Sequence, residues 1–529
     1  MMFAQVNNKS NQKGLVAMKN FIEEFGFIIF SVIALMCIVV ATIYRDATKY
    51  PKLEDSIEEI EGLIGDYDGY YVVLHTGDNN IFHEISGTEI GDDIVLVVPS
   101  SISDNVLLTF YTSWNEQLAS YKCDFKKNPE YIVKNRSISM VKSDLPFVYI
   151  DIDKQDMERV NSSYRNGDMH KEKAVVKVYI DDRVSRKIDA GYLSPRGSAT
   201  WNLYKKMPYS LKLHSKYDNE KRFNLLANAT DKTLLKNEIF FDLANSLDME
   251  YTPKIGNVNM YFNDWYQGVY SISTKVRVGK NTVDLSNGDF LFCWGASRPK
   301  NVIDYDCNFW TSDVEIKDLE DSSFIDLEWP ERNDEEYLEY VQNIVQTYVD
   351  VLEGRSDGRL SDYVDLESLA KYYWVQEIGM NADGWYRSTY SYYKQEDGKI
   401  HYGPLWDMEV TLGSNLEKDD STFLDPCGWC LRNHGYYVPL FKNKEFVDEV
   451  NRVYTDYNIE KLMYDSYDNY VNKVNALSLE GEINYQMWVD ENNFFDIITP
   501  AEYPTYNDYC QAKLDFYKTR IDWIANEMR

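Results

Sequence analysis

From Asn381 to Gly413 the chain reads NADGWYRSTYSYYKQEDGKIHYGPLWDMEVTLG, a pattern that predicts a β-hairpin. Ser388 to Lys394 is rich in Tyr, Ser and Thr, and Lys399 to Val410 resumes an extended pattern. Gln395-Glu396-Asp397-Gly398 between them has the composition of a turn, with Gly398 free to take positive φ. Asp383 lies twelve residues before Gln395 and Asp407 twelve after it, so an antiparallel pair brings them together at its open end. Directly opposed strand positions have Cα atoms about 4.5–5.5 Å apart. Two carboxylates that close repel unless a cation or a proton lies between them. On the same extended pattern Glu409 points to the face of Asp407, and Asn381 adds a neutral oxygen. This is a set of hard oxygen ligands suited to Mg²⁺ or Mn²⁺ holding a phosphate. The competing account of the same residues is solvated acids at strand ends.

That account has weight because the chain is acidic, with a formal net charge of −31 over 529 residues. Such a charge, with no basic run, argues against nucleic acid or anionic lipid as partner. The length admits two or three domains, and 43 Tyr with 15% aromatic residues argue for a folded chain. Near the N-terminus, Phe25 to Tyr44 is a run of twenty residues without a charge. At about 1.5 Å per residue it spans a bilayer core of roughly 30 Å. It is longer than a signal-peptide core, and Ala41-Thr42-Ile43-Tyr44 is a poor cleavage site, so it is read as a transmembrane helix. Three lysines precede it (Lys9, Lys13, Lys19) and three cations follow (Arg45, Lys49, Lys52), so the charge rule for orientation is tied. The expectation is a cytoplasmic tail over 1–24 and an extracytoplasmic body. Six cysteines outside the span are compatible with pairing there or with free thiols.

An acidic juxtamembrane stalk is expected over 45–66, then a small β-rich module over 67–143 with strands YYVVLHT, DDIVLVVP, NVLLTFYTSW and YIVKNRSISMV. Past Asp144, the segment YLSPRGSATWNLYKKMPYSLKL gathers Arg196, Lys205, Lys206 and Lys212, a local group of four cations in an acidic chain. Gly197 permits the close backbone approach that phosphate recognition needs. Lysines snorkelling from exposed strand positions are the alternative. Asp231 to Leu247 has helical apolar spacing, and Asn257 to Ser273 reads as a hairpin turning at Asn263-Asp264. Helices are expected over 335–352, 365–380, 444–457 and 507–528.

RGSATWNLYKKMPYSLKL, LLANATDKTLLKNEIFFDLA, MYFNDWYQGVY and GPLWDMEVTLG stand in the order and rough spacing of the CotH family. The resemblance runs from about Asp144 to the C-terminus. It implies an α+β, atypical protein-kinase-like domain over 144–529, behind the all-β module and the single N-terminal transmembrane helix. It further implies a protein kinase using ATP and Mg²⁺ or Mn²⁺ on hydroxyl side chains of envelope, surface or coat proteins. By motif, Asp383 resembles the catalytic or first metal-binding acid and Asp407 the kinase-type metal-binding Asp, with Glu409 and Asn381 beside it. Arg196, Lys205 and Lys206 fall on the element expected to face nucleotide phosphates, with Lys212 following.

The chain departs from the family's RGNSxW at Ser198 and Ala199, from its EK at Thr274, and from WDxD at Glu409. Lys236 stands where an Arg is usual. A catalytically silent relative, serving as a surface scaffold, is therefore the second reading. No Gly-rich phosphate loop is present. Cys427-Gly428-Trp429-Cys430, with His434 nearby, offers three zinc-type ligands without a fourth, and is read as a local disulfide or two free thiols.

Overall fold

A computed structural model describes residues 50–65, 67, 69–76, 84–162, 173–181, 186–197, 199–295, 302–304, 324–332, 334–384, 388–414, 421–489 and 502–529. The expected transmembrane helix at 25–44 and the tail before it lie outside these residues. Among the described residues no helix is long and apolar enough to cross a membrane. The chain divides into two compact units. The second takes Thr88–Gly91, Val97–Ser101 and Lys142–Arg529, and the first takes the remainder.

The strands that build the β module are β1 (Tyr70–His75), β2 (Glu84–Ser86), β3 (Thr88–Ile90), β4 (Asp93–Pro99), β5 (Asn105–Thr112), β6 (Gln117–Asp124), β7 (Glu130–Val133) and β8 (Arg136–Ser143). They form two four-stranded sheets, ordered β2-β1-β5-β6 and β3-β4-β8-β7. The run expected as one strand from Tyr131 is two. Lys134 and Asn135 both take positive φ (52° and 62°) and turn it into a hairpin. The Ile57–Ile64 helix buries Ile60 and Ile64 and accepts the Lys134 N–H on Glu61 Oε1 at 2.7 Å.

In the second unit, β9 (Phe147–Asp151), β10 (Ala174–Asp181), β11 (Arg186–Pro195), β12 (Tyr209–Tyr217), β13 (Glu220–Leu226), β14 (Ile255–Phe262) and β15 (Trp265–Thr274) close into a barrel. Its order is β10-β11-β12-β13-β15-β14-β9, and only the β14–β9 pair among its recorded pairings is parallel. The β14–β15 hairpin turns at Asn263-Asp264 as its sequence predicts. Alternating apolar residues such as Val176, Val178, Leu211, Leu213 and Leu225 fill the barrel.

A five-stranded sheet follows, ordered β17-β18-β16-β19-β20, with β16 (Phe290–Trp294), β17 (Val302–Asp304), β18 (Phe324–Trp329), β19 (Thr389–Lys394) and β20 (Lys399–Tyr402). Helices Glu335–Leu352, Leu366–Gly379, Lys444–Asp456 and Tyr506–Glu527 fall within a residue or two of expectation. Their starts follow from the side chains before them: Asp334, Asp365, Asn443 and Thr505 each accept a first-turn N–H. Ile459–Ala476 and Ser478–Trp488 are two further helices that periodicity did not reveal.

Glu367, at the start of the Leu366–Gly379 helix, ties it to Lys444–Asp456. It accepts from Tyr457 Oη at 2.6 Å and from Arg452 Nη2 at 2.7 Å, and pairs with Lys371 at 2.9 Å. The Tyr457 hydroxyl first, then Lys371 and Arg452, hold its pKa down to about 2. The unfolded chain holds this proton at its ordinary value near 4.5, so the bridge's stabilisation is whole above that pH. It is lost as pH falls toward 2. In acid titrations followed by circular dichroism, Glu367→Gln should lower stability at neutral pH and flatten its fall across that window.

Candidate functional site

The 381–413 hairpin forms, with Lys394 opposite Lys399 and Ser391 opposite Tyr402, but its second strand stops at Tyr402. Pro404 follows Gly403 through a cis bond and has no N–H for a ladder. The extended run expected to continue to Val410 is therefore irregular, and Asp407 and Glu409 are not strand neighbours on one face. Asp407 sits at φ +60°, in the left-handed region. Asp383 is likewise off the sheet, in the turn that ends the Leu366–Gly379 helix at left-handed Met380 (φ +50°).

The two turns nevertheless meet. The Ala382 N–H donates to Val410 O at 3.1 Å and the Leu412 N–H to Gly379 O at 2.9 Å. Between them the buried Asn381 amide is a tie: Nδ2 donates to Asp407 O (3.2 Å), while Oδ1 accepts the Asp383 N–H (3.1 Å). The Ser388 hydroxyl donates to Asp407 Oδ2 at 2.9 Å. Asn381, Asp383 and Asp407 thus share one site, reached by packing turns rather than by strand register.

Glu409 is held from the other side by residues that sequence reasoning passed over. Thr230 donates its hydroxyl to Oε2 at 2.5 Å, and Asn237 Nδ2 approaches Oε1 at 3.4 Å. The same Asn237 amide accepts the Met408 N–H at 2.8 Å. Both belong to the turn and helix start after β13. The helix expected from Asp231 begins instead at Lys236, after a turn that the Asp231 carboxylate holds. That carboxylate accepts from Thr233 N and Oγ1, Leu235 N and Lys236 N at 2.6–3.0 Å. Lys236 Nζ then reaches Glu409 O (3.3 Å) and Ser414 Oγ (3.2 Å) beneath the acid loop.

Burial first, and then the charge of nearby Asp407, push the Glu409 carboxyl up to about 7, against the Thr230 hydrogen bond. Arg196 opposes the shift and lies over the Trp406 ring at 5.5 Å from its centroid. The site is thus a crowd of negative charge with Arg196 at its edge and Lys236 beneath it. Six non-glycine residues on these segments are left-handed: Asn228, Leu234, Met380, Ser388, Asp407 and Leu412. Such conformations are held only where surrounding structure enforces them, and they cluster at functional sites.

The remaining cations go elsewhere. Lys206 is buried, donating to Val269 O (2.5 Å) and Asn484 Oδ1 (2.8 Å) with its ammonium over Tyr270. Asn484 comes this close because Gly268 is a glycine at φ +88°; a Cβ there would meet Oδ1 at 2.3 Å. Lys205 is exposed, and Lys212 points outward from β12. Cys427 (exposed) and Cys430 (buried) are free thiols, and His434 Nδ1 lies 2.7 Å from Cys430 O. Among the described residues no group of three or more His, Cys, Asp or Glu is poised around a cation.

A sequence model described as CotH kinase protein matches residues 193–524. The chain belongs to the CotH kinase family. The match begins on β11 and closes in the last helix, so it takes in Arg196, the Asp231 turn, Asn381, Asp383, Asp407 and Glu409. A search of curated proteins returned no match. In this CotH-family, kinase-like protein Lys236 places a cation under the acid loop. Thr274 donates no charge, its hydroxyl accepting the Lys254 N–H at 3.1 Å.

Proposed function

We propose that this chain is a membrane-anchored protein kinase that transfers the γ-phosphate of ATP to hydroxyl side chains of envelope, surface or coat proteins. The observation that carries it is the pairing of Asp407 with Glu409, beside Arg196 and Asp383, in a chain of the CotH kinase family. The Asp407 charge raises the proton affinity of Glu409, and carboxylates crowded in this way suit a divalent cation, so the donor set fits Mg²⁺ or Mn²⁺. Asp407 and Glu409 would hold it. When bound, the ion would supply charge neutralisation at the β- and γ-phosphates.

The chain's own residues take the other tasks. Arg196, stacked on Trp406, would face phosphate oxygens as a fixed fork of donors. Asn381 and Ser388 would keep Asp407 in its left-handed turn, and Thr230 and Asn237 would orient Glu409. Asp383, held by Asn381 through its N–H, would orient the acceptor hydroxyl and take its proton. The second reading, a silent surface scaffold, draws on Lys206, whose ammonium is spent on Val269 and Asn484 rather than on the acid loop.

Melting curves of the full chain separate the two. Ligand bound only by the folded state at a hundred times its Kd adds about 2.7 kcal/mol of stability. ATP with Mn²⁺ should raise the melting temperature well beyond the effects of ATP alone and Mn²⁺ alone. No joint shift would favour the scaffold.

A further inference from the structure

Between residues 173 and 222 the sequence carries twelve Lys and Arg against five Asp and Glu, a surplus of seven positive charges in a chain of net charge −31. The barrel gathers part of this surplus into a row. Val176, Val178, Leu193, Leu211, Leu213 and Phe223 point inward, so their neighbours point out. Register then places Val175 opposite Tyr192, Tyr192 opposite Lys212, and Lys212 opposite Arg222. The Lys275 N–H donates to Arg222 O at 3.1 Å and extends the row by one more cation.

Like charges directly opposed across strands are destabilising. Asp151, Asp218 and Glu220 form their salt bridges with Lys177, Lys254 and Arg277 rather than with Lys212 or Arg222. At the other end of the row, Val175 is 61% and Tyr192 37% exposed. A solvated face has no need of cations in register beside an exposed apolar pair.

We propose that this row is a docking surface for an acidic segment of a partner polypeptide. Its carboxylates would meet Lys212 and Arg222, and an apolar side chain would cover Tyr192 and Val175. An extended segment is favoured over a lipid surface by charge. Outside residues 173–222 the chain carries a net −38, which a plane of anionic lipid would have to approach. With screening over about 8 Å at physiological salt, a narrow segment meets the patch alone. The inference does not depend on phosphoryl transfer.

The test uses the full chain and a short fluorescent Glu/Asp-rich peptide containing one Leu, read by anisotropy. The same peptide with Gln and Asn for its acids is the control, beside vesicles of phosphatidylcholine with and without phosphatidylserine. The acidic peptide should bind, more weakly as salt rises, and the doubly reversed variant Lys212→Glu/Arg222→Glu should lose about tenfold or more in affinity. That variant should melt no lower than the parent, since reversal relieves like-charge neighbours, so unfolding cannot account for the loss. Equal binding by the variant or by the neutral control peptide would overturn the proposal. So would vesicle binding that needs phosphatidylserine while the peptide fails to bind, which would assign the surface to a membrane.

Discussion

Arg520→Ala should cost the second unit about 3–5 kcal/mol, the loss seen when one partner of a buried ion pair is removed. Arg520 and Glu377 are both fully buried, with Nη2 2.6 Å from Oε1. Arg520, on the last helix, also donates to Glu377 O at 2.9 Å and to the carbonyls of Pro426 and Gly428. The Glu377 carboxylate in turn accepts the N–H groups of Cys430 (2.8 Å) and Leu431 (3.0 Å). One pair therefore fastens the last helix, the Leu366–Gly379 helix and the Cys427–Cys430 loop. Removing the guanidinium strands a carboxylate in the core and frees several carbonyls. Urea midpoints should fall steeply for Arg520→Ala and less for Arg520→Leu/Glu377→Leu, which leaves no orphaned charge. A double variant as damaged as the sum of the singles would contradict this account of the pair. Because Glu377 lies four residues before Asn381, the loss should also loosen the turn that carries Asp383.

Asp407→Asn should abolish transfer while sparing the fold. Asn tolerates the left-handed conformation that φ +60° imposes, so the backbone keeps its turn, whereas Ala would add strain. Only the charge is lost. A metal-held phosphoryl group draws several kcal/mol of transition-state stabilisation from its ligands, so kcat should drop about a hundredfold or more. Stability should hold or rise, since Glu409 loses the like charge that helps raise its proton affinity. A variant that loses activity only because it melts early would not fit, and neither would one that keeps full activity.

The sequence made the outline legible where local rules suffice. The β14–β15 and β19–β20 hairpins carry turn residues, and four helices carry caps, two of them (Glu335–Leu352 and Lys444–Asp456) with a clear apolar face. The two helices it hid explain themselves. Ser478–Trp488 buries Glu480 and Asn484 for tertiary partners, so polarity does not mark its outer face. Ile459–Ala476 begins from left-handed Asn458 and is broken up by Asp and Tyr. At the site, twelve-residue symmetry about Gln395 set Asp383 against Asp407 across a strand pair that the structure does not extend so far. The strand ends at Tyr402, and Asn381 and Val410 close the gap instead. Thr230, Asn237 and Ser388 were invisible because each acts through a contact far along the chain. Asp231 offered a signal, a carboxylate five residues before a helix, which apolar spacing absorbed into the helix itself. Lys206 and Lys212 share one motif, yet Lys206, in the loop before β12, is buried against Val269 and Asn484 while Lys212, on β12, is exposed.

The most direct test of phosphoryl transfer follows label from γ-labelled ATP. The full chain would be incubated with Mg²⁺ or Mn²⁺ and a generic acceptor protein, alongside Asp407→Asn and Asp383→Asn. The account predicts label on the acceptor or on the chain itself that requires the metal and disappears in both variants. Label that persists in either variant, or metal-dependent ATP binding with no transfer to any hydroxyl acceptor, would contradict it.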